Sequence, residues 1–336
     1  MTDRCLNTRM KTLFPYIRRL AQKTHVLYSL VTTGHPTHSM KKIAFKCFWP
    51  NFTTTDQFYL FAEFLHANFH ITVTPDERDA DIVFYSIFCS EPVHLDHTKK
   101  NIFYTGENLK SARWAEYKMI FPEHDKFDFY IGFNRSLSRN TLRAPVFLGR
   151  KYAGNSPFST LRQLQKPRIL VPKKKFCIFL QAGKSESQYR EKFCLDLMRY
   201  KPIECPGRIL NNCQPLDNNR LSWDNKIEHY KQFKFAFAFE NSVAPGYTTE
   251  KLVEALLGNT VPLYWGDPTV DVDFDKKTFI CRSDFDSDNE MIEYIKFVDQ
   301  NTDEYEKYFM NPPLISKSLA DERRYIDFFA QFLDKK

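Results

Sequence analysis

The sequence lacks most of the signatures by which a function is read directly. No run approaches the roughly 18 uninterrupted apolar residues of a membrane span, and the N-terminus has no signal-peptide core. Glycine is scarce, 10 in 336 residues, and neither GxGxxG nor a Walker loop occurs. Serine-nucleophile elbows and paired helical histidines are missing, and the nine histidines are scattered. The eight cysteines, at 5, 47, 89, 177, 194, 205, 213 and 281, form no CxxC pair, which argues against a zinc site. They read as free thiols of a reducing compartment, with a Cys205–Cys213 bridge as the alternative under oxidation. There is no arginine-rich stripe, zinc-finger spacing or RNP motif. The net charge of +7, from 48 basic and 41 acidic residues, therefore fits phosphate ligands or an anionic surface better than nucleic acid.

What is present is a globular composition, 16% aromatic with 32 Phe, long enough for two domains. Residues 1–40 form an extension in which Leu13, Ile17 and Leu20 share a helical face near Lys11, Arg18 and Arg19, interrupted by Pro15. That face suits a short helix packed on the body, a frayed extension or peripheral membrane contact. From residue 41 apolar strands alternate with helical patterns: strands at 42–48, 70–74, 81–88, 101–104 and 127–131, and a helix at 56–68. Such alternation implies parallel pairing in a doubly wound α/β domain, 41–150.

Residues 151–175 show no clear period and read as a linker ending in the run Lys173-Lys174-Lys175, a solvated strand entrance. A second α/β set spans 176–317, with a strand at 176–180, a helix at 187–200, a strand at 279–282, and helices at 289–298 and 304–309. The final helix, 319–333, carries Ile326, Phe329, Phe332 and Leu333 on one side, and residues 318–336 are expected to pack back on the first domain.

The most informative stretch is 233–266. Phe235-Ala236-Phe237-Ala238-Phe239 is an unbroken apolar run, as in a central strand covered on both faces. Polar residues follow: Glu240, Asn241, Ser242, Tyr247, Thr248, Thr249, Glu250 and Lys251, with a turn at Pro245-Gly246. A helix then runs from an N-cap at Thr248 or Thr249 to Gly258, and a strand covers 261–265. Ligands of open α/β sheets bind at the carboxyl ends of strands, where helix N-termini favour anions. Lys251 is unfavourably placed for the helix dipole, a penalty that a bound phosphate would reverse. Glu250 could accept from ribose hydroxyls, and Tyr247 could pack on a sugar or base. A solvated Glu and Lys on a surface helix is the plain alternative.

The order Phe239-Glu240-Asn241-Ser242, then Tyr247-Thr248-Thr249-Glu250-Lys251, then Val261-Pro262 and Trp265-Gly266-Asp267-Pro268, closely resembles the signature of the α-1,3-fucosyltransferases, glycosyltransferase family 10, and most of all its microbial or viral members. The resemblance covers about residues 42–310 and is strongest after 176. It implies a GT-B architecture, two Rossmann-like domains facing a cleft, and an inverting transfer of L-fucose from GDP-β-L-fucose to a hydroxyl of an oligosaccharide or glycoconjugate, by resemblance the 3-OH of GlcNAc. Rivals are a GT-B enzyme with another donor sugar and a non-catalytic nucleotide-sugar or glycan-binding protein.

Inversion by single displacement needs a base opposite the leaving group and positive charge on the diphosphate. Tyr104-Thr105-Gly106-Glu107-Asn108 follows an apolar strand and looks like the family segment carrying the base, which makes Glu107 the expected catalytic base. By resemblance, Arg190 contacts the diphosphate and Lys251 shares that task. Tyr247 and Glu250 fall at donor-holding positions. Asn241 and Glu240, after the central strand, are expected to shape the fucose and ribose ends of the donor pocket, with capping of loop N–H groups as the alternative for Glu240. Asp271-Val272-Asp273 looks like a metal-binding DxD of a different fold, but here it reads as a solvated loop. No metal is therefore expected to be required, although manganese or magnesium stimulation fits the family. Animal members are held in the Golgi by a transmembrane helix. Without one the expectation is a cytoplasmic microbial or viral enzyme, with the sequons at Asn51 and Asn134 unmodified.

Overall fold

The computed structural model describes residues 40–49, 52, 59–111, 114, 121–135, 138, 140–181, 188–216 and 223–333. The N-terminal extension with its membrane-facing alternative, the sequon at Asn51 and the first residues of the helix expected at 56–68 lie outside them. The chain divides into compact units 1–41 and 42–336, and both sheets belong to the second.

The first sheet contains β1 (Lys42–Lys46), β2 (Thr72–Val73), β3 (Ile82–Tyr85), β4 (Lys100–Thr105), β5 (Phe129–Gly132) and β6 (Thr141–Arg143), in the order β2-β1-β3-β4-β5-β6. The second contains β7 (Lys175–Ile178), β8 (Ile203–Glu204), β9 (Phe233–Phe239), β10 (Val261–Trp265) and β11 (Ile280–Cys281), in the order β11-β10-β9-β7-β8. Every pairing in both sheets is parallel, as the alternation of strands and helices predicts.

Strand β9 is central, and its sequence shows why. Phe235, Phe237 and Phe239 enter one core with Phe193 and Leu197 of the helix Tyr189–Met198 and with Met291 and Ile295 of the helix Asp288–Gln300. Ala236 and Ala238 point the other way, into a core shared with Leu252, Val253 and Leu256 of the helix Glu250–Leu257. With a period of two, Phe fills the deeper layer and Ala lets a helix lie close.

That second core also takes in Ile43, Ile102, Ile131 and Leu142 of the first sheet, so the two domains share apolar packing. The C-terminal helix Glu322–Leu333 lies against residues of the first sheet. Phe332 packs on Phe129 with ring centroids 4.5 Å apart, and the Tyr325 hydroxyl donates to the Arg143 carbonyl at 3.3 Å.

Three expectations need correction. The stretch 151–175 contains a helix, Pro157–Leu164, with Ser156 accepting from the Ser159 N–H and Pro157 at the first helical position. Phe158, Leu161 and Leu164 are among its buried positions, a stripe too short to register as a period. Cys47 and Cys89 are bridged, with Cα atoms 4.7 Å apart, whereas Cys205 and Cys213 are not. The all-thiol reading fails there because adjacent parallel strands β1 and β3 bring together residues 42 positions apart. The third is Asp273, described with the site. Among the described residues, no helix is long and apolar enough to cross a membrane.

Candidate active site

In a parallel sheet every strand points the same way, so the loops after β4 and β5 share one edge, as do those after β9 and β10. The two edges meet. Asn108, after β4, donates from Nδ2 to Ser242 Oγ, after β9, at 3.0 Å. Arg135, after β5, donates to Asp267 Oδ2 and to the Thr269 carbonyl, after β10, at 3.2 and 2.8 Å.

Glu107 sits at this junction, two residues beyond β4. The Thr105 hydroxyl accepts from its backbone N–H at 3.0 Å, which fixes the turn. Its carboxylate accepts from the Tyr247 hydroxyl of the opposite domain at 3.4 Å. Among the described residues, no cation lies within ion-pair distance of Glu107. Tyr247 itself is 1% exposed, edge-on to Phe133 with centroids 5.0 Å apart. Its ring is therefore enclosed between the domains, with its hydroxyl turned to Glu107.

Arg190 lies in the first turn of the helix Tyr189–Met198 and is 4% exposed. Nη1 donates to Asn241 Oδ1 at 2.8 Å, while the buried Nε has no partner among the described residues. Burial lowers its pKa, with Glu191 and Glu240 opposing through space. No carboxylate of the described residues lies within ion-pair distance. A buried guanidinium without a contacting counter-ion is costly, and an anionic ligand would relieve that cost.

Lys251 is the second cation. Nζ donates to Glu240 Oε2 at 3.1 Å and to the Thr249 hydroxyl at 2.9 Å, with Glu250 at 3.8 Å. Burial works against its charge, but Glu240 and Glu250 more than offset this and raise its pKa.

Glu240 is fully buried, and its oxygens accept from the Thr249 N–H and hydroxyl at 2.7 and 2.6 Å. Burial raises its pKa against Lys251 and the Thr249 donors. These contacts are those of a carboxylate that caps loop N–H groups, with Lys251 as its ion-pair partner. Gly266 lies against it, where a Cβ would overlap the Glu240 side chain.

Glu250 opens the helix and keeps 19% side-chain exposure. Burial opposes its ionisation, but Lys251, Arg150 and Lys226 outweigh it and hold the carboxyl at about 2. Behind it, Arg150 and Lys226 both pair with the fully buried Glu254. This buried set ties the chain leaving the first domain to the helix carrying Glu250 and Lys251.

Sequence reasoning gave Asp267 no role beyond its place in the signature. Its side chain is 0% exposed. Oδ1 accepts from the Gly246 N–H at 2.7 Å and from the Thr269 N–H and hydroxyl at 2.8 and 2.7 Å. Oδ2 accepts from the Thr248 hydroxyl at 3.0 Å and from Arg135. Asp267 thereby fixes residues 246–248 around Tyr247. Gly246, at φ +82°, lies so close to the first domain that a Cβ would meet the Phe133 carbonyl oxygen at 2.8 Å.

Asp273 corrects the reading of 271–273 as a solvated loop. Asp271 is exposed, but Asp273 is buried and accepts from Arg143 Nη2 at 2.6 Å, with Arg135 Nη2 at 2.8 Å. The acidic run hid this because both arginines lie more than a hundred positions earlier. Among the described residues, no group of three or more His, Cys, Asp or Glu is arranged to hold a metal ion.

The structure thus brings Arg190, Asn241, Glu240, Lys251 and Glu250 into one network and sets Glu107 against it through Tyr247. The sequence reading missed Asp267 and its partner Arg135, whose one visible sign was the Asp267-Pro268 pair inside the signature.

Two family models match the chain. The one described as Glycosyltransferase family 10 (fucosyltransferase) C-term matches residues 170–312. The one described as Alpha-(1,3)-fucosyltransferase FucT N-terminal domain matches residues 43–149. The alpha-(1,3)-fucosyltransferase FucT of Helicobacter pylori is 29% identical over 239 residues, 64% of this chain and 47% of that protein. GDP-fucose protein O-fucosyltransferase 3 of Gallus gallus is 34% identical over 137 residues, 39% of this chain and 29% of that protein. The chain spans less than half the length of these curated relatives. A crystal structure of alpha1,3-fucosyltransferase with GDP-fucose superimposes with a TM-score of 0.66 at 22% identity, covering 92% of this chain and 95% of that one. At that identity the likeness is one of fold, the two-sheet GT-B architecture.

Proposed function

The chain belongs to glycosyltransferase family 10, and from that premise we propose that it is an inverting fucosyltransferase. It takes L-fucose from GDP-β-L-fucose and attaches it in α-1,3 linkage to the 3-OH of GlcNAc in an acceptor glycan. The observation that carries this reading is the arrangement of charge. Glu107 of one domain meets Tyr247 of the other, whose loop leads to Lys251, while Arg190 on a separate helix of that domain is buried and has no contacting carboxylate among the described residues.

In this reading Glu107 accepts the proton of the acceptor hydroxyl as its oxygen bonds to C1 of fucose. The bond from C1 to the β-phosphate oxygen breaks on the opposite face, inverting the centre. GDP leaves, and the charge growing on its diphosphate is met by Arg190 and Lys251. Those two residues make the reaction independent of a metal. Glu250, anionic and partly exposed, accepts from the ribose hydroxyls.

A second reading keeps the donor and changes the acceptor. The Gallus gallus relative is named for fucosylation of protein, so an acceptor hydroxyl on a polypeptide is the alternative.

The test is transfer of labelled fucose from GDP-fucose to LacNAc with chelator present, Glu107→Gln run in parallel, and linkage assigned by NMR. Product from the parent but not from the variant, at unchanged GDP affinity, supports donor, base and metal independence together. Tight GDP-fucose binding without glycan product shifts the search to polypeptide acceptors. No binding of any GDP compound would sink the reading.

A further inference from the structure

A row of three aromatic rings at the carboxyl edge of the first sheet plays no part in the chemistry above. Trp49 follows β1, Phe88 follows β3, and Trp114 lies in the loop beyond Glu107. The Phe88 ring stands edge-on between the other two, with centroids 5.8 Å from Trp49 and 5.5 Å from Trp114. Phe88 is 37% exposed, and both indoles are only partly buried. Trp49 and Trp114 pack against the cores of the first domain and remain partly accessible at this edge.

The backbone beneath the rings is held firmly. The Phe88 N–H donates to the Cys47 carbonyl at 2.8 Å, and the Cys47–Cys89 bridge ties the same two turns together. Trp114 is joined to the base by consecutive turns, with the Ser111 N–H donating to the Asn108 carbonyl and the Trp114 N–H to the Ser111 carbonyl, each at 3.0 Å. Phe48, beside Trp49, stacks at 5° on Tyr104 of the strand that delivers Glu107. The rings and the base thus occupy one continuous edge.

We propose that Trp49, Phe88 and Trp114 form an acceptor subsite that holds the sugar residue adjacent to the one whose hydroxyl reacts. The proposal rests on the fucosyl-transfer reading. One face of a pyranose presents C–H groups, which suit the negative face of an aromatic ring. Contiguous exposed aromatics at the rim of a site commonly mark where a ligand docks. With the reacting sugar at Glu107, the neighbouring residue of a disaccharide or longer glycan is the one the rings would hold, a contact that a single sugar lacks. The platform therefore sets a preference for acceptor length and leaves the donor untouched.

The test compares Phe88→Ala, Trp114→Ala and Trp114→Tyr with the parent, using LacNAc and free GlcNAc as acceptors and measuring KM for GDP-fucose. The alanine variants are expected to raise KM for LacNAc by about tenfold, with kcat, the GDP-fucose KM and the GlcNAc KM unchanged, and Trp114→Tyr to recover most of the loss. An unchanged LacNAc KM in variants whose parent is active overturns the subsite and leaves the reaction reading standing. Parallel loss of donor and acceptor affinity overturns it as well, since it marks a general defect in folding. A parent that neither binds GDP-fucose nor transfers fucose removes both readings.

Discussion

The Tyr247 hydroxyl reaches the Glu107 carboxylate at 3.4 Å across the junction of two sheets, joining residues 140 positions apart. One is the residue expected to take a proton, and the other sits in the loop that ends at Lys251. The contact links the proposed base to the loop proposed to hold the donor. Glu107→Gln is isosteric and removes the base, so transfer should fall by about 10² to 10⁴ with GDP-fucose affinity unchanged. Tyr247→Phe removes one hydrogen bond and should lose no more than about tenfold. Initial rates beside calorimetric GDP-fucose binding read both. Equal losses from the two variants would mean that Glu107 only supports the loop.

In the proposed reaction Arg190 and Lys251 act on the donor side. Each charge-assisted hydrogen bond to a diphosphate contributes about 1.5 to 3 kcal/mol, so Arg190→Ala and Lys251→Ala should each weaken GDP binding by roughly ten- to a hundredfold. Arg190→Lys should recover only part, because the planar fork is lost. GMP, which lacks the second phosphate, provides the control. If GMP binding falls as far as GDP binding, the cations are not aimed at the diphosphate.

The strand, loop, helix and strand of the donor half were legible because their signals are local. Phe and Ala alternate along β9, Thr249 caps the helix and Gly258 ends it, all within about two dozen residues of one another. Asn241 and Arg190 were visible only through resemblance, since an arginine in a helix is ordinary until its burial is known. The burial of Asp267 and Asp273 was not legible. What buries them is Arg135 and Arg143, supplied by another domain, and no local pattern encodes a partner so distant. Cys47 and Cys89 escaped for the same reason. Their proximity is a property of strand order, which sequence periodicity does not give.

The Arg143–Asp273 pair is the clearest test of that distant packing. Both side chains are nearly inaccessible, with Arg135 alongside. Removing one partner leaves the other charge buried, which typically costs about 3 to 5 kcal/mol. Asp273→Asn should lower the midpoint of urea unfolding accordingly, while Asp271→Asn, at an exposed position, should leave it unchanged. Equal behaviour of the two would return 271–273 to the solvated loop first read from the sequence.

Glu250 makes stability depend on pH in a definite direction. Its carboxyl stands at about 2 in the folded chain, against roughly 4.3 in an unfolded one. A depressed carboxyl contributes stability that is present in full above the unfolded value and lost as pH falls through the folded value. The contribution, at most about 3 kcal/mol, is therefore constant at neutral pH and fades between about pH 5 and pH 2. Glu250→Gln should be less stable than the parent at pH 7, with the gap narrowing through that window until the two coincide near its lower end. Urea melts at half-unit steps, checked for constant m-values, would show it. A gap independent of pH would mean that the cations around Glu250 respond to its shape and hydrogen bonding, and that its charge does not hold the helix start in place.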